Sequence, residues 1–210
     1  MTAKYMGFRK FFGEMCLRNM ENAVGIENEG PRMGEPLYWY AMSVPYNRVL
    51  KVKAMLDSER IECFVPMRYE VRTVRGHKTR QYVPAVSNLL FVHTTDSRLK
   101  MFKQTTTFLQ YLVYRADGVS RKIIVPDAQM EQFIRVSRTC DDGLVYLKPE
   151  EINLAKGTRV RILGGAFDGV EGIFLKIKGR RSRRVVVLVD HVSAVAVSEV
   201  SPDLIEVLDS

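Results

Sequence analysis

The sequence predicts an α+β fold, in which a four-stranded antiparallel sheet with flanking helices is followed by a small all-β region. Residues 36–140 alternate short apolar runs with helical stripes in the order β-α-β-β-α-β-α, which gives the sheet and its helices. Residues 156–189 alternate apolar and basic positions with a period of two, which is typical of half-buried strands. Four glycines fall within residues 164–172, and this density predicts sharp turns between the strands.

The first strand covers residues 37–44, an apolar run that is ended by a proline, since proline cannot donate to a ladder. Asn47 can cap the helix that follows. Apolar residues at helical spacing give this helix an inward face made of Val49, Val52 and Leu56.

A β-hairpin with a basic tip is predicted next. Residues 61–69 form the second strand, and Val71, Thr73 and alternating arginines flank Gly76. The remaining elements of this region are a strand at 83–94, a helix from Asp96 or Ser97 to about Thr105, strands at 111–114 and 122–125 joined by an Asp117-Gly118 turn, and a helix from Pro126 to about Arg138 with Met130, Phe133 and Ile134 on one face.

The second region begins with a strand on which Val160 and Ile162 point one way and the neighbouring arginines point the other way. Phe167 lies among the glycines as a single large apolar plug. Further strands are predicted at 173–177, 185–189, 194–197 and 205–208, with a turn at Ser201-Pro202-Asp203.

Positive charge is concentrated in the middle of the chain. The net charge of +8 favours a polyanionic partner, while a mildly basic soluble protein is the plainer alternative. Residues 36–140 hold 17 basic and 8 acidic residues, whereas residues 141–155 hold 1 and 4. The first of these segments therefore carries the electrostatic footprint, and the second is predicted to be an acidic linker.

The predicted organisation is an N-terminal extension and linker at 1–35, a domain at 36–140, the acidic linker at 141–155 and a second domain at 156–210. Phe8, Phe11, Phe12 and Met15 follow a helical spacing near the start of the chain. This stripe predicts either a short helix that docks on the body or on a partner, or a frayed extension with translation beginning at Met33.

Several function classes find no support in the sequence. The three cysteines and three histidines show no ligand spacing, so we expect reduced thiols, no metal site and no cofactor. No apolar run reaches membrane-spanning length and no secretory signal is recognisable, which predicts a cytoplasmic protein without membrane contact. The glycine cluster lacks the dinucleotide spacing, and no phosphate loop or nucleophile elbow occurs, so no catalytic site is expected.

The glycine-rich region resembles the KOW motif of NusG-type transcription factors and some ribosomal proteins. The residues that carry this resemblance are Gly157, Val160, Ile162, Gly165, Phe167, Gly169 and Gly172. Residues 36–140 resemble the NusG N-terminal domain at Trp39-Tyr40, Val65-Pro66-Met67, Val74-Arg75-Gly76, Pro84 through Phe91-Val92, and Ile124-Val125-Pro126. Together the resemblances imply a NusG N-terminal domain followed by a small five-stranded SH3-like β-barrel, the KOW domain.

This resemblance implies a non-enzymatic transcription elongation and antitermination factor that binds the clamp of RNA polymerase. In the family a hydrophobic depression makes that contact, and the matching residues here are Tyr40, Val86, Leu89 and Phe91. Burial in the sheet core is the alternative for these four side chains. The specialised RfaH-like paralogues, such as regulators of capsular-polysaccharide operons, resemble the chain most.

Two basic groups are expected to bind further partners. The hairpin and the first helix offer a set of cations to the phosphates of non-template DNA or nascent RNA, namely Arg48, Lys51, Arg72, Arg75, His77, Lys78 and Arg80. The resemblance implies that the KOW domain binds a termination factor or a ribosomal protein, through Phe167, Ile173, Phe174, Arg180, Arg181, Arg183 and Arg184. A solvated charged turn is the alternative for each group.

One departure from the family separates this chain from its housekeeping members. An aromatic-Pro-Gly-Tyr turn is usual in the family, and the same place here reads Val86-Ser87-Asn88-Leu89. Asn can adopt the left-handed conformation of Gly, so we expect the turn to be kept. The β-branched run at 185–189 favours strands over the helices that RfaH-like proteins can form in this region.

An RNA- or ribosome-binding KOW protein without polymerase contact is the alternative function.

Overall fold

A computed structural model of the protein describes residues 34–74, 76–139, 141–147, 157–177, 183–197, 200 and 202–208. These residues all belong to one unit, Met33–Ser210. The predicted N-terminal stripe of Phe8, Phe11, Phe12 and Met15 therefore lies outside the described residues, as does most of the predicted linker.

Three helices and fifteen strands occur in these residues. The helices are α1 (Val49–Ser58), α2 (Asp96–Thr105) and α3 (Asp127–Arg138). The strands of the first region are β1 (Tyr38–Ser43), β2 (Glu62–Phe64), β3 (Met67–Val74), β4 (His77–Pro84), β5 (Leu89–Thr94), β6 (Gln110–Tyr111), β7 (Val113–Ala116), β8 (Val119–Lys122) and β9 (Ile124–Val125). Those of the second are β10 (Val145–Leu147), β11 (Thr158–Ile162), β12 (Glu171–Lys176), β13 (Arg183–Val189), β14 (Ser193–Ala196) and β15 (Ile205–Val207).

The first sheet has the order β2-β5-β1-β6, and β9 also pairs with β1. It therefore contains five strands where the sequence predicts four. The difference arises because β6 and β9 share one edge of β1, with the amide of Leu112 donating to the carbonyl of Ala41. The chain between them leaves the sheet and forms a separate hairpin, β7–β8, which turns at Asp117 and Gly118 as predicted.

The two faces of the first sheet carry different side chains because residues alternate along each strand. Tyr40 and Val92 are opposite each other and point into the cluster formed with α1 and α2. Trp39, Leu89 and Phe91 point to the other face, into the cluster that includes α3. The sheet is therefore covered on both sides.

Helix α1 buries Val49, Val52 and Leu56, which confirms its predicted inward face. The predicted cap is wrong, because Arg48 occupies the N-cap position without a side-chain hydrogen bond. Asn47 instead adopts a left-handed backbone conformation, with φ of 55°. A residue in that conformation extends the turn before the helix and cannot occupy the extended N-cap geometry.

The predicted hairpin is formed by β3 and β4, which pair in register from Met67 with Pro84 to Val74 with His77. Gly76 has φ of 83°, which allows the two-residue turn. The turn before β5 also follows the prediction, since Asn88 has φ of 63°. Asparagine tolerates this left-handed conformation better than most residues that carry a Cβ atom.

The second sheet has six antiparallel strands in the order β10-β14-β13-β12-β11-β15. Val160 and Ile162 are buried, while Arg159 is exposed, which confirms the predicted alternation of β11. Phe167 is buried in a short 3-10 turn, as expected of an apolar plug. Strand β10 comes from the predicted acidic linker, so that segment contributes to the sheet as well as joining the two regions.

Helix α3 packs between the two sheets. Its buried residues Met130, Phe133 and Val136 belong to one apolar cluster that extends from Phe91 of the first sheet to Val187 of the second. Each fully buried side chain of this size contributes about 1.5–3 kcal/mol to folding. Among the described residues, no helix is long and apolar enough to span a membrane.

Candidate nucleic-acid and partner interface

The β3–β4 hairpin presents two chemically different faces. Residues directly opposite each other in an antiparallel pair lie on the same face. One face carries Tyr69, Val71 and Thr73 of β3 with Tyr82, Arg80 and Lys78 of β4. We call it the aromatic face. The other face carries Arg68, Glu70 and Arg72 with Val83, Gln81, Thr79 and His77.

Glu70 is the one acidic residue of the two hairpin strands, and it lies opposite to the aromatic face. Its carboxylate is 3.7 Å from the guanidinium of Arg68 and 3.4 Å from that of Arg72. Such exposed ion pairs contribute little to stability, so both arginines stay available to another anion. His77 is exposed close to the tip, and Arg75 lies outside the described residues.

The aromatic face combines two rings with a cation. The ring centroids of Tyr69 and Tyr82 are 5.0 Å apart, and the guanidinium carbon of Arg80 lies 4.1 Å from the centroid of Tyr69. Arg80 also donates to both carboxylate oxygens of Asp142, at 2.9 and 3.2 Å. The sequence prediction included Arg80 and Lys78 but missed Tyr69 and Tyr82. A two-residue turn at Gly76 sets the strand register, and this register places the two tyrosines opposite each other.

The cations predicted on α1 have neighbours of their own. The guanidinium of Arg48 lies 5.5 Å from the ring centroid of Tyr46 and 5.0 Å from that of Phe108. Lys51 is exposed on the first turn of the helix. The ring contacts of Arg48 are thus made with loop residues near α1 and not with the hairpin.

The four residues predicted to contact polymerase do not form a single depression. Tyr40 is buried on the α1–α2 side of the first sheet, whereas Leu89 and Phe91 are buried on the α3 side. Val86 is half-buried and packs against the same cluster as Leu89. The grouping of Tyr40 with the other three is corrected by the register of β1 with β5, which puts Tyr40 on the opposite face.

The residues predicted to bind partners through the second sheet also differ in exposure. Phe167 is buried, whereas Ile173 and Phe174 are half-buried. Arg183 is exposed, and its guanidinium carbon lies 6.0 Å from the centroid of Phe174. Arg184 instead donates to the carbonyl oxygens of Gly143 and Val197, at 2.8 and 3.0 Å. Arg180 and Arg181 lie outside the described residues.

Polar contacts accompany the apolar packing between α3 and the second sheet. The side chain of Gln129 and Asp190 exchange two hydrogen bonds, at 2.8 and 3.2 Å. Arg135 donates to the carbonyl oxygen of Asp168. These contacts give hydrogen-bond partners to polar groups at the border of the apolar cluster.

Cys63 is a half-buried thiol next to Lys53 and Asp57. Burial raises its pKa to about 11, which outweighs the opposing effect of the Lys53 ammonium. Because the thiolate is the nucleophilic form, this raised pKa lowers the reactivity of Cys63 near neutral pH.

One part of the chain matches a known protein family. No match is found among curated proteins. A solved structure described as "Domain interaction in Thermotoga maritima NusG" is 14% identical, covers 83% of this chain and 98% of that chain, and gives a TM-score of 0.39. Residues 37–134 match the family model NusG, described as "Transcription termination factor nusG". This segment, which holds the first sheet, the hairpin and most of α3, is therefore the part of the chain that is similar to the NusG family.

Proposed function

We propose that the protein is a non-enzymatic transcription elongation and antitermination factor that binds RNA polymerase. The observation that supports this function is the match of residues 37–134 to the NusG family model. The segment includes both the basic hairpin and Val86, which are the groups that polymerase and nucleic acid would meet. In this proposal the protein acts in the cytoplasm by binding RNA polymerase, and it uses no cofactor.

The finer role follows from the departures of this chain from the family pattern. The turn at residues 86–89 lacks two aromatic rings and a proline, which favours a specialised RfaH-like paralogue dedicated to one operon, such as a polysaccharide operon. The second sheet, proposed as the KOW domain, would bind a termination factor or ribosomal protein with Phe174 and Arg183. Arg183 is the exposed member of the predicted set within the described residues, and its guanidinium lies over the ring of the half-buried Phe174.

The polymerase contact is proposed on the α3 side of the first sheet. Val86 is half-buried there and is the member of the predicted group that a partner reaches without rearrangement. Leu89 and Phe91 are covered in the packed unit, so they contribute only where α3 and the second sheet move away. Covering such apolar surface stabilises a complex by roughly 25 cal/mol per Å² before association costs.

We expect the full chain, attached to a resin, to retain purified RNA polymerase after nuclease treatment. The substitution Val86→Asp should lower the retained polymerase about tenfold or more, because it puts a carboxylate into the apolar contact. Val119→Asp is the matched control, since Val119 is an exposed valine on the β7–β8 hairpin. The retained polymerase is measured by quantitative immunoblot, and thermal unfolding of both variants reports whether they fold.

Loss of polymerase after nuclease treatment of the wild-type complex would contradict this proposal. That result would instead support an RNA- or ribosome-binding protein tethered to polymerase by nucleic acid. Equal retention by the wild type, Val86→Asp and Val119→Asp would leave polymerase binding in place but refute the proposed surface.

The arginines of the hairpin sequence should set the salt dependence of nucleic-acid binding. We expect the double substitution Arg72→Gln and Arg75→Gln to weaken binding to a synthetic transcription bubble at low salt. The slope of log K against log salt should fall by about 1 for each phosphate that is no longer neutralised. Fluorescence anisotropy at several salt concentrations measures both quantities, and an unchanged affinity at low salt would refute a phosphate contact there.

A further inference from the structure

The aromatic face of the β3–β4 hairpin exposes three large apolar side chains to solvent. Tyr69 is 44% exposed, Tyr82 opposite it is 50% exposed, and Val71, the next residue of β3 on this face, is 63% exposed. Large side chains that stay in contact with water on a basic element commonly mark a binding surface. Arg80 and Lys78 continue the same face towards the tip, so rings and cations follow each other along one strand.

The charges on the hairpin are segregated between its faces. Glu70 and the arginines that pair with it lie on the opposite face, and the aromatic face carries cations without any acidic residue of the hairpin. A ligand of this face must therefore be anionic and must offer flat apolar groups. Nucleic acid combines both properties, since a phosphate alternates with a base along each strand.

An acidic residue from outside the hairpin already occupies part of this face. Both carboxylate oxygens of Asp142 accept from the guanidinium of Arg80, which itself covers the ring of Tyr69. A crevice of about 100 Å³ separates Tyr69 from the segment that carries Asp142 and Tyr146. The carboxylate thus takes the place that a phosphate oxygen would take on the same donor, because both are oxyanions that an arginine fork binds.

We propose that the aromatic face binds single-stranded nucleic acid, with bases stacked on Tyr69 and Tyr82 and a phosphate replacing Asp142 on Arg80. This inference rests on the nucleic-acid-binding part of the proposed function. A single strand fits because its bases are free to lie on exposed rings, whereas the bases of a duplex are stacked on each other. Every base has a π-face, so such binding tolerates sequence changes.

The contact with Asp142 makes this binding competitive with an internal anion. Both carboxylate oxygens of Asp142 accept from Nη2 of Arg80, so a phosphate that takes this nitrogen displaces the carboxylate. Binding therefore releases the segment 141–144 from the hairpin. Removal of the Asp142 charge should strengthen binding, whereas removal of a distant acidic charge should not.

The rings are tested with two labelled single strands of about 12 nucleotides, one of thymidines and one abasic, with equal numbers of phosphates. We expect the full chain to bind the oligothymidylate more tightly than the abasic strand in fluorescence anisotropy. The double substitution Tyr69→Leu and Tyr82→Leu should weaken binding of the oligothymidylate about tenfold and leave the abasic strand unchanged. Tyr69→Phe with Tyr82→Phe should keep the wild-type affinities, because both rings remain.

Arg72→Gln removes a positive charge from the opposite face of the hairpin and is the charge control. It should weaken the binding of the oligothymidylate and of the abasic strand equally. Equal loss of both strands in the leucine variant would overturn the proposal, since phosphate contacts alone would then explain binding. The same conclusion would follow if the wild type preferred a duplex, or if the tyrosines affected only a protein partner. Circular dichroism of the leucine and phenylalanine variants shows whether the hairpin substitutions preserve the fold.

The competition is tested independently with Asp142→Asn, which should tighten binding of the oligothymidylate severalfold. Asp117→Asn changes the net charge equally at an exposed turn of the β7–β8 hairpin and should have no such effect. Equal gains for the two variants would refute competition at Arg80. Polymerase retention separates this inference from the proposed function: retention without base-dependent binding would refute only the stacking, and base-dependent binding without retention would refute only the polymerase contact.

Discussion

Replacing Phe133 with alanine is expected to lower the free energy of unfolding by about 3–5 kcal/mol, because it removes a fully buried ring and leaves a cavity. Phe133 lies at the centre of the apolar cluster on α3 and is inaccessible to solvent. Its ring centroid is 5.6 Å from that of Phe91 in the first sheet and 6.3 Å from that of Tyr146 in the second. The ring therefore links the two sheets through the helix.

Urea denaturation followed by circular dichroism measures this loss. Glu131→Ala is the matched control, since Glu131 is exposed on the same helix and alanine suits helix interiors. We expect one unfolding transition for the wild type and a broadened or split transition for the Phe133 variant, because the second sheet loses an apolar attachment to the helix. A loss of less than about 1 kcal/mol would show that the helix does not hold the two sheets together.

The helical pattern of α3 was largely predictable, but its role between two sheets was not. Apolar spacing identified Met130, Phe133 and Ile134 as one face. The structure also buries Val136 and Ser137, which extends the covered surface beyond a single stripe. Periodicity reports which residues avoid water, and it carries no information on whether one sheet or two provide the cover.

The hairpin contains one contact that the local sequence predicts and one that it does not. Its turn at Gly76 fixes the pairing of Tyr69 with Tyr82, so the aromatic face follows from sequence once the turn is located. The bond between Arg80 and Asp142 joins residues 62 positions apart, and no local pattern encodes such a contact. The acidic charge of the segment was evident, but its position on the basic hairpin required the fold.

The register of the strands separates Tyr40 from the other three residues of the predicted polymerase surface. Each strand shows its own alternation, but the face shared by two strands depends on how they pair. Tyr40 lies opposite Val92, so its side chain shares a face with Val92 and not with Leu89 or Phe91. The sequence predicted both strands, but their pairing decides which of their side chains meet.

Gly172→Ala is expected to lower the free energy of unfolding by about 3 kcal/mol, because overpacking a close strand contact forces the backbone to move. A Cβ atom at Gly172 would lie 2.6 Å from the carbonyl oxygen of Val186 and 2.8 Å from a methyl group of Val185. Real Cβ atoms do not approach a carbonyl oxygen so closely. Since the nearest atom belongs to the backbone, rotation of a side chain cannot relieve the contact between β12 and β13.

Gly165→Ala provides the contrast within the same glycine-rich motif. Its Cβ atom would meet no heavy atom within 4 Å, so its cost of about 1–2 kcal/mol arises from the left-handed backbone, with φ of 72°. Hydrogen exchange distinguishes the two variants locally. In the Gly172 variant the amides of β12 and β13 should exchange faster than in the wild type, because the two strands must separate. In the Gly165 variant the exchange of these amides should change only as much as the global stability does. Wild-type stability of Gly172→Ala would mean that β12 and β13 do not approach each other at this residue, and the close strand pairing that places Phe174 next to Arg183 would then have to be abandoned.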